Sequence, residues 1–127
     1  MSDSRLLAKA WRALEAARRA HAAGDAETAA DRAYYAAFYA AWALLADLGV
    51  ARPKTHHGMI SEFSRHFVRH GPLSTRHGAT LSRLENLRLA ADYTLEPIPL
   101  EDAARALDEA THFVRDAAGL GSAAEPD

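Results

Sequence analysis

Two stretches of this chain set an arginine among apolar and aromatic residues at helical spacing: Asp31-Arg-Ala-Tyr-Tyr-Ala-Ala-Phe-Tyr-Ala-Ala-Trp42 and Leu87-Arg-Leu-Ala-Ala-Asp-Tyr93. Taking a guanidinium out of water is costly unless a carboxylate, carbonyl, phosphate or aromatic face receives it. Arg32 and Arg88 are therefore the first candidates for function. Arg88 and Asp92 stand at the spacing of an intrahelical ion pair, which by itself would only fix one helix against its neighbours. With Arg32 and Tyr35 from the first stretch and Tyr93 beside Asp92, two guanidiniums and two phenols can instead grip a nucleotide phosphate and stack its base. Lys54 and His56 stand at an expected helix start, where backbone amides receive anions. Ordinary capping plus one packed histidine is the better account of that segment.

Other pairings carry less chemistry. Arg105 and His112 project away from the apolar stripe of their segment, which marks a solvated face. His66 and His70 have the spacing of metal ligands on one helix turn, but no third ligand is assured, so no metal site is expected. Tyr35, Tyr39 and Trp42 line up on one helix side with Tyr34 and Phe38 close by. Aromatics at this spacing form core or contact surface more often than base-stacking platforms, and the face is expected to be a dimer interface.

The elements that hold these residues follow from hydrophobic periodicity. The 127 residues are 49% apolar and 25% charged with a net charge of -2, the balance of one soluble globular domain and not of a duplex DNA binder. There is no cysteine, so disulfide and thiolate chemistry are excluded. No segment reads as a signal peptide or membrane span, and the expected location is cytoplasmic. Helical periodicity runs from Arg5 to Ala23, closed by Gly24, and from Asp25 as a cap to Leu48 before Gly49. The second helix is apolar all round, so it is central to a bundle or shared with an interface. Its stripe is Ala30, Tyr34, Ala37, Phe38, Ala41, Leu45 and Leu48. A third helix starts from Thr55, buries His56, Ile60, Phe63 and Phe67, and ends at Gly71-Pro72. A polar connection, Ser74 to Gly78, leads to a fourth with Leu81, Leu84, Leu87 and Ala91 inside. Pro97 and Pro99 break the chain before a fifth that buries Ala103, Leu107, Ala110, Val114 and Ala117. The expectation is an all-α, antiparallel up-and-down bundle of four to five helices in a single domain, 1–127. Its core spans about 5–119, and 120–127 form a flexible tail.

These residues also resemble a family. Arg32-Ala-Tyr-Tyr-Ala-Ala-Phe with a following Leu-Leu pair, then Lys54-Thr-His-His-Gly, then Leu87-Arg-Leu-Ala-Ala-Asp-Tyr occur in the order seen in small stand-alone HEPN proteins (higher eukaryotes and prokaryotes nucleotide-binding). The resemblance implies a helical bundle that dimerises, often beside a minimal nucleotidyltransferase, with no cofactor. Many such domains are metal-independent ribonucleases or toxins of toxin–antitoxin pairs, and others only bind. The nuclease branch uses an arginine followed four to six residues later by histidine. By resemblance the arginine is Arg88, but Asp92-Tyr93 occupy the histidine position, and a phenol with a pKa near 10 is a poor base. The resulting expectation is a binding and regulatory module for a nucleotide or RNA end. The alternatives are an RNA-cleaving toxin using Arg88 and Tyr93, and a purely structural partner. A partner nucleotidyltransferase modifying Tyr93 is a further option of the same resemblance.

Overall fold

A computed structural model describes residues 4–69, 71 and 73–120. It consists of helices α1 (Ser4–Ala22), α2 (Ala26–Asp47), α3 (His56–Phe63), α4 (Thr75–Tyr93) and α5 (Leu100–Leu120), with a π-helical turn, Ser64–Arg69, continuing α3. The expected up-and-down helical bundle is what forms. Its axis is α2, which packs on α1, α3, α4 and α5, whereas α4 and α5 touch each other only lightly.

The sequence of α2 explains its position. Eight of its buried residues are alanines, Ala29, Ala30, Ala33, Ala36, Ala37, Ala40, Ala41 and Ala43, so neighbouring helices approach its backbone closely on several sides. Tyr34, Phe38, Leu44 and Leu45 fill the remaining space, joined by Leu7 and Leu14 of α1, Leu81 and Leu84 of α4, and Val114 of α5. A second aromatic centre forms where Phe63 stacks on Phe67 at 5.6 Å between ring centroids and meets Phe113 at 5.2 Å.

Both ends of the α1–α2 pair are set by glycine. Gly24 and Gly49 have φ of 77° and 75°. In each case the glycine and the residue after it return their N–H groups to the helix's last turn: Gly24 to His21 and Asp25 to Ala20, then Gly49 to Ala46 and Val50 to Leu45. Asp25 then caps α2 by accepting from the Thr28 amide, so one short connection ends a helix and starts its antiparallel neighbour.

Several expectations shift. Ser74 to Gly78 is not a connection: Ser74 is the N-cap of α4, and its amide donates to His77 Nδ1 at 3.3 Å, so the polar residues serve as cap and first turn. Leu48 falls beyond the end of α2 and is 55% exposed. In α3 the fully buried residues are Met59 and Phe63, while His56 and Ile60 are half-buried. In α5, Ala106, Phe113 and Ala118 are buried and Leu107 is half-buried. Pro72, His70 and the expected tail from 121 onward lie outside the described residues. Among the described residues no helix is long and apolar enough to cross a membrane.

Between the loosely apposed α4 and α5 lies a hollow of about 380 Å³ floored by Leu84, Leu87, Ala90 and Ala106. It is edged by the ion pairs of Arg83 with Glu109 and Arg105 with Asp102. Nearer the start of α4, His77 Nε2 meets Asp116 of α5 at 2.8 Å.

The glycine caps lead to opposite outcomes for two otherwise similar substitutions. Gly49→Ala forces a side chain into the left-handed region and is expected to lower stability by about 1 kcal/mol. Gly119→Ala, inside α5 with open space around the new methyl, is expected to raise it by about 0.5 kcal/mol. Urea unfolding of the two variants measures both signs.

Candidate functional site

The site is built where α4 crosses α2. Arg88 is only 7% exposed, and its guanidinium is held from one side by its own helix, with Nη2 2.8 Å from Glu85 and Nη1 3.1 Å from Asp92. On the other side it faces α2, 5.1 Å from the Tyr34 ring centroid and 5.8 Å from that of Tyr35. Arg32 approaches the same Tyr35 ring at 5.0 Å while pairing with its neighbour Asp31 at 3.0 Å. Tyr35 thus stands within cation–π range of two guanidiniums, contacts worth about 2 kcal/mol when desolvated.

A histidine enters from a third element. Thr55 caps α3 by accepting from the Gly58 amide at 2.8 Å, and this fixes the first turn. His56 then projects back on α2, where its Nδ1 and the Tyr34 hydroxyl are 2.7 Å apart. The imidazole also lies 5.9 Å from the Tyr35 ring and 5.3 Å from Phe38. Arg88 has no histidine four to six residues after it along the chain, but both it and His56 meet Tyr34 in space.

The electrostatics follow from burial. Burial, followed by the adjacent Glu85 carboxylate, pushes the Tyr34 phenol far above its ordinary value. Burial likewise raises Tyr35, against the opposing pull of Arg88. For Arg88, burial works against the charge, but the Glu85 hydrogen bond and its charge prevail and the guanidinium is held more firmly protonated. The network is not fully satisfied: Arg88 Nε and Glu85 Oε2 are buried without a hydrogen-bond partner among the described residues.

Of the expected ligand-binding residues, the structure gathers Arg32, Tyr35, Arg88, Asp92 and His56. Lys54 is exposed ahead of α3, and Tyr93, 79% exposed at the end of α4, makes no hydrogen bond or ring contact among the described residues. The expected interface residues Tyr39 and Trp42 are half-buried and lie beneath the chain's own cations, Lys9 at 4.8 Å and Arg52 at 4.7 Å. His66 pairs with Glu62 at 3.2 Å, while Arg105 and His112 are exposed and pair with Asp102 and Asp108. Glu85 was missed, although its place one turn before Arg88 signals it.

A model of the HEPN domain matches residues 4–120. The chain belongs to the HEPN domain family. Over 83 residues, 65% of its length, this HEPN domain is 40% identical to the Methanocaldococcus jannaschii protein named Putative toxin MJ0605, of which the match covers 61%. Over 89 residues, 70% of the chain, it is 30% identical to that organism's Putative toxin MJ0142, covering 60% of it. The HEPN chain therefore spans about three fifths of the length of these curated relatives.

Two tests probe the buried network. Arg88→Ala leaves Glu85 buried and uncompensated and is expected to cost about 3 kcal/mol. Adding Glu85→Ala should recover part of that loss, and a double-mutant cycle in urea gives the coupling. The raised Tyr34 phenol favours folding below pH of about 10, where both states are protonated, and this advantage is lost as pH rises further because the unfolded phenol ionises first. Thermal unfolding across alkaline pH should show that decline, and Tyr34→Phe should flatten it.

Proposed function

We propose that this HEPN chain is the toxin-like member of a regulatory pair. As a homodimer, it receives a nucleotide or RNA end at the Arg32–Tyr35–Arg88 cluster and acts with a minimal nucleotidyltransferase. The observation that carries this reading is the pair of guanidiniums converging on one aromatic ring. A base stacks on such a ring while a phosphate bridges the cations. The half-exposed Arg32–Asp31 pair contributes at most about 1 kcal/mol and yields readily to a phosphate. Asp92 is the more exposed of the two carboxylates on Arg88, with 42% of its side chain accessible against 12% for Glu85. Glu85 therefore keeps Arg88 oriented while Asp92 gives way. The names of the two relatives support a toxin role, and the resemblance supports the partner.

A second reading, RNA cleavage, is favoured by the 2.7 Å contact of His56 with Tyr34. In it His56 replaces the missing histidine of α4. The imidazole takes the 2'-hydroxyl proton, the freed oxygen attacks phosphorus to close a 2',3'-cyclic phosphate while Arg88 stabilises the developing charge, and the imidazolium returns the proton to the 5'-oxygen as its bond to phosphorus breaks.

Thermal shift with AMP and a phosphorylated trinucleotide tests the first reading. A stabilisation of several degrees that disappears in Arg32→Ala is expected, and no shift with either probe overturns it. Incubating single-stranded RNA with the protein in EDTA tests the second: cleavage should stop in His56→Ala and persist in Tyr93→Phe. If neither ligand nor RNA responds and Trp42→Ala abolishes self-association in sedimentation, the chain is a structural interaction protein.

A further inference from the structure

Away from that cluster, the α1–α2 seam carries a second constellation. Arg5, Lys9 and Arg12 recur at helical spacing along one face of α1. They line two adjoining hollows, about 190 Å³ and 370 Å³, that share Lys9 and Arg12. The first also contains Arg32 and Tyr39 of α2, and the second Trp42 and Ala46. Cations from one helix thus face the aromatic stripe of the other. Lys9 sits over the Tyr39 ring, and Arg52 covers Trp42 from the loop after α2.

The charge of this seam is one-sided. Lys9, Arg12 and Arg52 have no carboxylate partner among the described residues, and Glu15 is turned to Arg18 and Arg19. Arg32, by contrast, is neutralised locally through Asp31. A chain with net charge -2 concentrates unpaired positive charge here. From Arg32 to Ala46 the seam follows α2 for about 21 Å at the rise of an α-helix, room for a few nucleotides. Arg32 belongs both to this seam and to the Tyr35 cluster.

We infer that the α1–α2 seam is a track for single-stranded RNA, with Lys9 and Arg12 holding successive phosphates and Tyr39 and Trp42 offering faces to unstacked bases. Positively charged grooves interleaved with aromatic rings suit flexible single strands, whose bases are free to stack, better than rigid duplexes. Charge complementarity selects a polyanion, and the rings select one that carries bases. The track ends at Arg32, so a strand lying in it delivers one end to Tyr35 and Arg88. This delivery step rests on the proposed function, whereas the track itself does not.

Fluorescence anisotropy with a labelled single-stranded RNA dodecamer, titrated at several salt concentrations, tests the track. The double variant Lys9→Glu/Arg12→Glu should bind at least about tenfold more weakly, with a salt slope shallower by about 1.4 for two lost phosphate contacts. Its thermal shift with AMP should remain that of the unaltered protein. Unchanged dodecamer affinity overturns the track, as does equal or tighter binding to a duplex of the same sequence or to phosphatidylserine vesicles. So does a variant that loses self-association with no change in RNA affinity. Dodecamer binding that depends on Lys9 and Arg12 without any AMP shift upholds the track and removes the nucleotide site instead. Both substituted side chains are exposed on α1, and circular dichroism of the variant confirms that it folds.

Discussion

A guanidinium held almost out of water at the seam of two helices is the constraint around which this domain is arranged. Arg88 reaches its place only because α4 supplies carboxylates one turn to either side of it and α2 supplies two aromatic faces opposite. A buried charge with partners missing costs several kcal/mol, so the relative register of α2 and α4 is tied to these four contacts. Buried ion pairs seldom add much stability over an apolar core of the same volume. Among the described residues Arg88 is the one charged side chain in a core that is otherwise apolar apart from Thr80.

The same helix serves two surfaces. One side of α2 turns Tyr34 and Tyr35 toward Arg88 and His56, and the adjoining side turns Tyr39 and Trp42 toward α1. Alanines between the aromatics keep α2 slender enough for four helical neighbours, so its rings reach past the backbone of one partner to the side chains of another. Tyr35 and Arg32 lie where the two surfaces meet.

Much of this was legible in the sequence. Periodicity and glycine punctuation located five helices to within a few residues, because apolar stripes and left-handed caps are local properties. Arg32, Tyr35, Arg88 and Asp92 declared themselves as charges and phenols embedded in apolar runs. What was not legible depends on distance through space. Nothing in the order of residues places His56 against Tyr34, since that needs the length and direction of the loop from Leu48 to Thr55. Glu85 stands at ion-pair spacing before Arg88, but its burial depends on how α4 packs. The Ser74–Gly78 segment read as a loop because its residues are polar, whereas Ser74 caps α4 and Thr75 to Gly78 belong to its first turn. Lys54 and Tyr93 match the family's blocks, yet here they stand at the exposed margins of the cluster.

The contact of His77 with Asp116 gives α4 an anchor near its start, while farther along the helix the apolar hollow separates it from α5. Arg88 and Asp92 lie on this far portion. The ties of α4 to α5 thus gather along its first half, at His77 and Arg83, and beyond them Arg88 takes its setting from α2.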